Sequence, residues 1–335
     1  MKKTYTFLLV FFVSLGVYAK GFNDVSVSDT ATVISLNKQA FANRLIDPEQ
    51  TVADASKALA LAKKLNYYNG IGEAYRVLGI GRYYLDQPEQ SFDNYLIGIT
   101  YFVKANNLAG EAKVYNNIGI LFRDHDYNRS LDYLKKSLDI ATRIGDERLI
   151  ASLGLNLGNV YIRKNSLHQA LKFYDQSTVV FEKLKDSVNL VQCLLNKGVV
   201  YQRLNQHDKA LEFLLKANVA AKRQDLNESV ASVNLTIASI YISQKKYDEA
   251  EKIVKEGIAY TQLVKDPKLD YDYKHTAYEL EFNRKNFERA LFYLQEVYRI
   301  DSTTYKLNTS VQMKLIEAKR RQEEQVKENE RVAER

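Results

Sequence analysis

The sequence holds one cysteine, Cys193, no tryptophan and only three prolines. With a single thiol no intrachain disulfide can form. Fourteen glycines and three prolines in 335 residues leave room for long uninterrupted helices. Charge of one sign is not concentrated anywhere. The net charge is +7, Lys2 and Lys3 supply two of it, and no basic run is long enough for a nucleic-acid footprint. Nucleic acid is therefore not expected as a partner. The chemistry of common enzymes is also missing. There is no Gly-rich phosphate loop, nucleophile elbow or HExxH string. The four histidines, His125, His168, His207 and His275, lie far apart and share no Cys/His metal pattern. No catalytic residue, metal site or cofactor is expected, and the chain reads as non-enzymatic.

What the sequence does have is a period. In the stretch Ala151 to Ser177, Leu153, Leu157, Val160 and Tyr161 fall on one helical face, followed by a polar break and a second amphipathic helix. Gly158 sits inside the first helix, where it costs up to ~1 kcal/mol relative to alanine unless a neighbour must approach closely. The Gly158 slot recurs as Gln39, Gly79, Gly119, Gly158, Gly198, Ala238 and Tyr278. A second small-residue slot runs Thr51, Ser91, Ser130, Ala170, Ala210, Ala250 and Ala290. In each track five intervals are 40 residues and one is 39. Two tracks with one period define an all-α fold, an α-α superhelix of about seven helical hairpins. Cys193 occupies the slot of Val114, Leu153 and Val233 and reads as a small buried hydrophobe.

Four segments follow in order. Residues 1–19 read as a secretory signal peptide: Lys2 and Lys3, an apolar core from Phe7 to Val17, and Val17-Tyr18-Ala19 before a cut. The expectation is export to the periplasm or cell envelope with cleavage after Ala19. An uncleaved anchor and a buried N-terminal helix are the alternatives. Residues 20–29 are a polar, flexible lead-in. Residues 30–301 carry the hairpins. Asp47-Pro48-Glu49 and Gln87-Pro88-Glu89 are matching helix starts. Aspartates at Gly145-Asp146, Lys185-Asp186, Gln224-Asp225 and Lys265-Asp266 read as N-caps. Residues 302–335 are dense in Lys, Arg, Glu and Gln, with a broken 4-3 seam through Val311, Leu315, Ala318, Gln322, Gln325, Asn329 and Val332. Two readings stand for this segment: a solvated helical tail, or a weak coiled coil that forms a homodimer or passes on a signal.

Leu157-Gly158, Tyr161, Ala170 and Tyr174 resemble the signature of the tetratricopeptide repeat. The resemblance covers about residues 30–300 and is strongest at Gly119, Gly158, Gly198 and Ala238. The usual repeat is about 34 residues; the longer one here resembles cell-polarity adaptors and bacterial peptide-sensing regulators. Asn156-Leu157-Gly158-Asn159 is similar to the first helix of that adaptor group. Lys197, Arg82 and Tyr278 depart from the pattern, and Tyr278 argues against close helix approach in the last hairpin. Exported repeats followed by a charged helix also resemble the periplasmic sensor halves of bacterial histidine kinases and transcription regulators. This resemblance implies, as the alternative to a binding scaffold, a detached or truncated sensor portion with a membrane-bound signalling partner.

The resemblance implies a protein or peptide ligand on the concave face, lined by each hairpin's first helix. Carried over by position, Asn117, Asn156 and Asn196 stand two before the glycine slot. Asparagine both donates and accepts, which suits a peptide backbone. Asn159, Arg123, Arg163, Gln202 and Arg203 would add donors, with arginine available to a ligand carboxylate. The competing expectation is that the asparagines bond neighbouring helices to one another and hold the stack.

Overall fold

The computed structural model describes residues 27–304 together with Gln322, Gln325 and Val326, which are helical. The signal-peptide reading of 1–19 and nearly all of 302–335, with its dimer and coiled-coil readings, lie outside the described residues. Among the described residues there are fourteen helices and no strand. They are α1 (Val27–Asn43), α2 (Pro48–Lys64), α3 (Tyr68–Tyr84), α4 (Pro88–Lys104), α5 (Leu108–Phe122), α6 (Tyr127–Ile144) and α7 (Glu147–Arg163). After them come α8 (Leu167–Lys183), α9 (Ser187–Arg203), α10 (His207–Arg223), α11 (Asn227–Ser243), α12 (Tyr247–Val264), α13 (Pro267–Asn283) and α14 (Phe287–Thr304). The residue missing from the 39-residue interval is lost from α5, which is 15 residues long where its counterparts have 17.

Helix ends explain the regularity. Eleven of the thirteen turns between the described helices close through a left-handed residue, ten of them non-glycine, such as Asn66, Asn165 and Lys245, with Gly145 the single glycine. Asn, Asp and Gly tolerate this region best, so the polar turn residues carry the punctuation. Asp47, Asp126, Asp146, Asp186 and Asp266 accept backbone N–H bonds as N-caps. Asp225 does not. It is the left-handed turn residue itself, at φ 52°, and Leu226 takes the cap position. The junction keeps the 40-residue register of Lys185-Asp186, but the aspartate comes one position earlier, on the turn residue rather than the cap.

The two small-residue tracks meet inside each hairpin. Ser91 donates its hydroxyl to the Gly79 carbonyl at 2.8 Å, and Ser130 to that of Gly119 at 2.6 Å. A Cβ on Gly79, Gly119, Gly158 or Gly198 would run into Tyr95, Leu134, Tyr174 or Leu214 of the partner helix. The size of the slot and of its facing residue trade against each other. In the sixth hairpin the slot grows to Ala238 and the facing residue shrinks to Val254, both in one buried cluster. In the last hairpin both facing residues are large, Tyr278 in the slot and Leu294 opposite, and α13 and α14 approach less closely than the helices of any other hairpin, with Tyr278 at the edge of the Leu294–Val297 cluster. In the middle hairpins close packing is a volume match between facing positions, and glycine is one way to meet it.

Cys193 keeps the apolar pattern, and Lys197 departs from it but is resolved by partners. Cys193 is fully buried, and burial pushes its thiol up to about 12, as fits an inert core residue. Lys197 is 7% exposed, with Nζ 2.7 Å from Asp175 and 4.1 Å from the centre of the Phe213 ring. Asp175 is largely solvated, so the two halves of the pair are unequal. Asp175→Ala strands a buried ammonium and is expected to cost about 1–3 kcal/mol. Lys197→Leu leaves a solvated carboxylate and is expected to be neutral or stabilising. Urea denaturation of both variants checks the asymmetry, and a larger loss in Lys197→Leu would refute it.

Each helix packs against its neighbours in sequence. The odd-numbered helices also touch the next odd-numbered helix, from α1 and α3 through to α11 and α13. Even-numbered helices make no such contact with each other among the described residues. The odd helices are therefore crowded on the inner side of the curve and the even ones are splayed outside.

The outer connection of the last hairpin is electrostatic. Glu251 on α12 is 2.7 Å from Lys255 and 2.8 Å from Arg284, which also reaches Asp248. The hydrogen bonds from Lys255 and Arg284 hold the Glu251 carboxyl at about 2, against an ordinary value of 4.5. The group is ionised more readily in the folded chain, so its contribution is full above about pH 4.5 and fades as pH falls toward 2. Docking of α13–α14 is expected to loosen over that window. Peptic digestion between pH 4.5 and 2 should cut this hairpin early, and Glu251→Gln should remove the pH step.

Candidate binding surface

The inner helices carry a ladder of side-chain amides. Asn156 on α7 donates to Asn116 on α5 at 2.8 Å. Asn196 on α9 donates to Asn159 on α7 at 2.8 Å, and Asn159 also accepts from the Tyr174 hydroxyl at 2.6 Å. Gln202 reaches Ser239 on α11 at 3.2 Å. Nearer the N-terminal ends of α3 and α5, Asn107 donates to Asn69 at 2.8 Å. Asn156, Asn159 and Asn196 are thus brought together and already bonded across helices. Asn117 is different: its Nδ2 is buried and has no hydrogen-bond partner.

The arginines gather at the C-terminal ends of the same helices, where a cation opposes the negative end of the helix dipole. Arg123 and Arg163 share Asp124, at 2.8 Å and 3.0 Å. Arg203 reaches the Ile162 carbonyl at 3.4 Å. Two cations on one carboxylate leave this rim positive.

Among the described residues, clefts open between successive inner helices, and three of them bear on the site. Between α1, α3 and α5 lies one of about 340 Å³, lined by Asn37, Lys38, Asn69, Glu73, Asn107 and Lys113 among others. A second, of about 180 Å³, is lined by Phe41, Arg44, Ile80, Tyr83, Tyr84, Tyr95, Asn117 and Ile120. The third, about 360 Å³, spans α9, α11 and α13 and is acidic, with Glu228, Asp266 and Asp272 against Lys268, and Asn196 on its wall. Burial pushes the Asp272 carboxyl upward, opposed by Lys268 and His275. Of the residues singled out in the sequence, Asn117 and Asn196 line clefts. Asn156, Asn159, Arg163, Gln202 and Arg203 instead bond to neighbouring helices or turns, and Arg123 sits beside Tyr84 with its charge opposing the upward push of burial on that phenol.

The sequence also held two residues that position alone could have found. Asn37 stands two before Gln39, in the register of Asn117, Asn156 and Asn196, but no glycine marks the slot. It is 2% exposed, donates to the Gly70 carbonyl at 3.3 Å and keeps a buried Oδ1 without a partner. Arg44 stands five after Gln39, as Arg163 and Arg203 stand five after their glycines. Tyr83 and Tyr84 had no such signal.

Seven hairpins with crowded first helices, splayed second helices and clefts on the inner face define an α-α solenoid of the repeat-protein class. Residues 110–177 and 148–217 match a tetratricopeptide repeat model, and 231–261 match a second model of the same repeat. Over these residues the chain carries tetratricopeptide repeats. No curated protein matches the sequence. Solved structures share the fold at low identity. A Signal Transduction ATPase with Numerous Domains carrying a tetratricopeptide repeat sensor, from Pyrococcus horikoshii, aligns at TM-score 0.69 and 16% identity. The match covers 87% of this chain but 44% of that one, less than half of its length. A Rap protein complexed with competence and sporulation factor aligns at TM-score 0.53 and 15% identity, covering 88% and 99%. The quorum sensor NprR from B. thuringiensis, in its apo form, aligns at 0.55 and 15%, covering 86% and 88%.

Proposed function

We propose that this chain is a non-enzymatic module that holds a protein or peptide partner on its inner face. The observation that carries the reading is that these clefts open between first helices and are lined by amides, charges and apolar side chains together. Such a surface offers donors, acceptors and apolar contact to an extended chain, as solenoid inner faces do. Structures of the same fold include a quorum sensor and a Rap protein bound to a competence and sporulation factor, which supports a signalling role. In that finer reading the chain is exported and serves as the sensor portion of a signalling system.

Capture from envelope extracts by crosslinking and pull-down tests the first statement, with N-terminal sequencing of the native protein testing cleavage after Ala19. The ladder variant Asn156→Ala/Asn196→Ala separates two roles. A stacking role predicts a lower melting temperature with partner capture retained at temperatures where the fold persists. Loss of capture without loss of melting temperature would assign these amides to the ligand instead. Recovery of no specific partner by the wild-type chain would overturn the binding reading.

A further inference from the structure

At the level of the glycine slots the amide ladder stops at α5, although Asn107 still meets Asn69 nearer the N-terminal ends, and the reason lies in α3. Asn156 and Asn196 give their Nδ2 to the preceding inner helix, at positions three before and one after the glycine slot: Asn116 and Asn159. On α3 those positions are Arg76 and Ile80. Arg76 can only donate, and its guanidinium is taken by Glu73 at 2.9 Å and 2.6 Å. Ile80 has no polar side-chain atom. Asn117, which corresponds to Asn156, therefore keeps a buried donor with no acceptor. Buried donors are rarely left unmet without a use.

That residue lines the 180 Å³ cleft beside Ile80. The cleft has apolar walls from Phe41, Ile80, Tyr95 and Ile120 and a cation at its mouth. The Arg44 guanidinium lies 4.1 Å over the Phe41 ring and gives one N–H to the Phe41 carbonyl at 2.9 Å. No carboxylate among the described residues forms an ion pair with it. Arg123, beside Tyr84, shares the Asp124 carboxylate with Arg163. A cavity of about 150 Å³ already admits a benzene ring, so this one has room for a single large apolar side chain.

We propose that this corner between α1, α3 and α5 is an anchoring subsite for a peptide carrying a large apolar residue next to an acidic one. It rests on the binding reading above and gives the partner a chemistry. The apolar side chain enters the cleft, its main-chain carbonyl accepts from Asn117 Nδ2, and the neighbouring carboxylate meets Arg44. The subsite exists because α3 breaks the ladder, and restoring the ladder closes it.

The test uses capped dipeptides titrated into the full chain and followed by equilibrium dialysis. Acetyl-Phe-Glu-amide is expected to bind saturably. Acetyl-Phe-Gln-amide and acetyl-Ala-Glu-amide are each expected to bind roughly tenfold more weakly, the loss typical of one charge-assisted bond or one filled pocket. Ile80→Asn puts an amide where α7 has Asn159, satisfies Asn117 and should abolish probe binding. Asn117→Leu removes the unmet donor and should weaken the probe while thermal stability is kept or raised, which guards against misfolding of the first variant. Arg44→Gln should erase the preference for Glu over Gln. Equal binding by wild type, Asn117→Leu and Arg44→Gln, or no saturable binding by wild type, would overturn the subsite. Partner capture by the inner face is read separately, so a failed probe with intact capture removes the subsite and leaves the module standing.

Discussion

Tyr174→Ala is expected to cost about 3–5 kcal/mol, as large aromatic truncations in rigid cores do. Tyr174 is fully buried, fills the space that Gly158 leaves open, and bonds Asn159 through its hydroxyl. Truncation opens a cavity between α7 and α8 and also loosens the ladder, because Asn159 is the acceptor for Asn196 on α9. The loss should spread along the solenoid to nearest neighbours before it reaches the ends. Hydrogen exchange should show α7–α9 opening first, with α1–α3 protected. A uniform loss over all fourteen helices would contradict this. Tyr174→Phe, which keeps the ring and removes only one hydrogen bond, should cost about 1 kcal/mol.

Gly257→Ala should destabilise the C-terminal hairpin even though alanine is the better helix former. A Cβ at this position lands on the Tyr273 ring and hydroxyl. Tyr273 is fully buried and gives its hydroxyl to the Ala231 carbonyl at 2.6 Å, so the ring has nowhere to go. Overpacking costs about 1–3 kcal/mol and stranding the buried Tyr273 hydroxyl about 1–3 more, against roughly 1 kcal/mol regained in helix propensity. One repeat earlier the equivalent pair is Ala217 and Val233, which share a cluster without strain. The double variant Gly257→Ala/Tyr273→Val recreates that pair and should recover much of the loss. Urea titration of the two single variants and the double variant gives the coupling energy directly. Additive losses would mean the facing residues do not share one volume.

This size matching also marks what could be read from the sequence. Gly158 and Ala170 recur with the hairpin period, so the number and boundaries of the hairpins were legible. The packing partner of Tyr278 was not, because it depends on Leu294 in the partner helix rather than on its own slot. Asp225 shows the same limit at finer scale, where one residue of shift turns a cap into a turn. For the site, register found Asn117, Asn156 and Asn196 but could not tell them apart. What distinguishes Asn117 is the presence of Arg76 and Ile80 on the helix before it. A hydrogen bond between helices joins positions that differ in register, and a column of equivalent residues does not display that.

The reach of the contacts has a consequence for how the molecule is made. Inner helices touch nothing beyond the second helix along, and even the long reach of Tyr273 to Ala231 spans 42 residues. A chain emerging from the ribosome therefore has the contacts of each hairpin to hand once the next repeat has appeared. The corner between α1, α3 and α5 would be complete before the acidic cleft of α9, α11 and α13 has been synthesised. Nascent chains arrested after α6 should already protect that corner from protease, so the two ends of the inner face have different ages in every molecule.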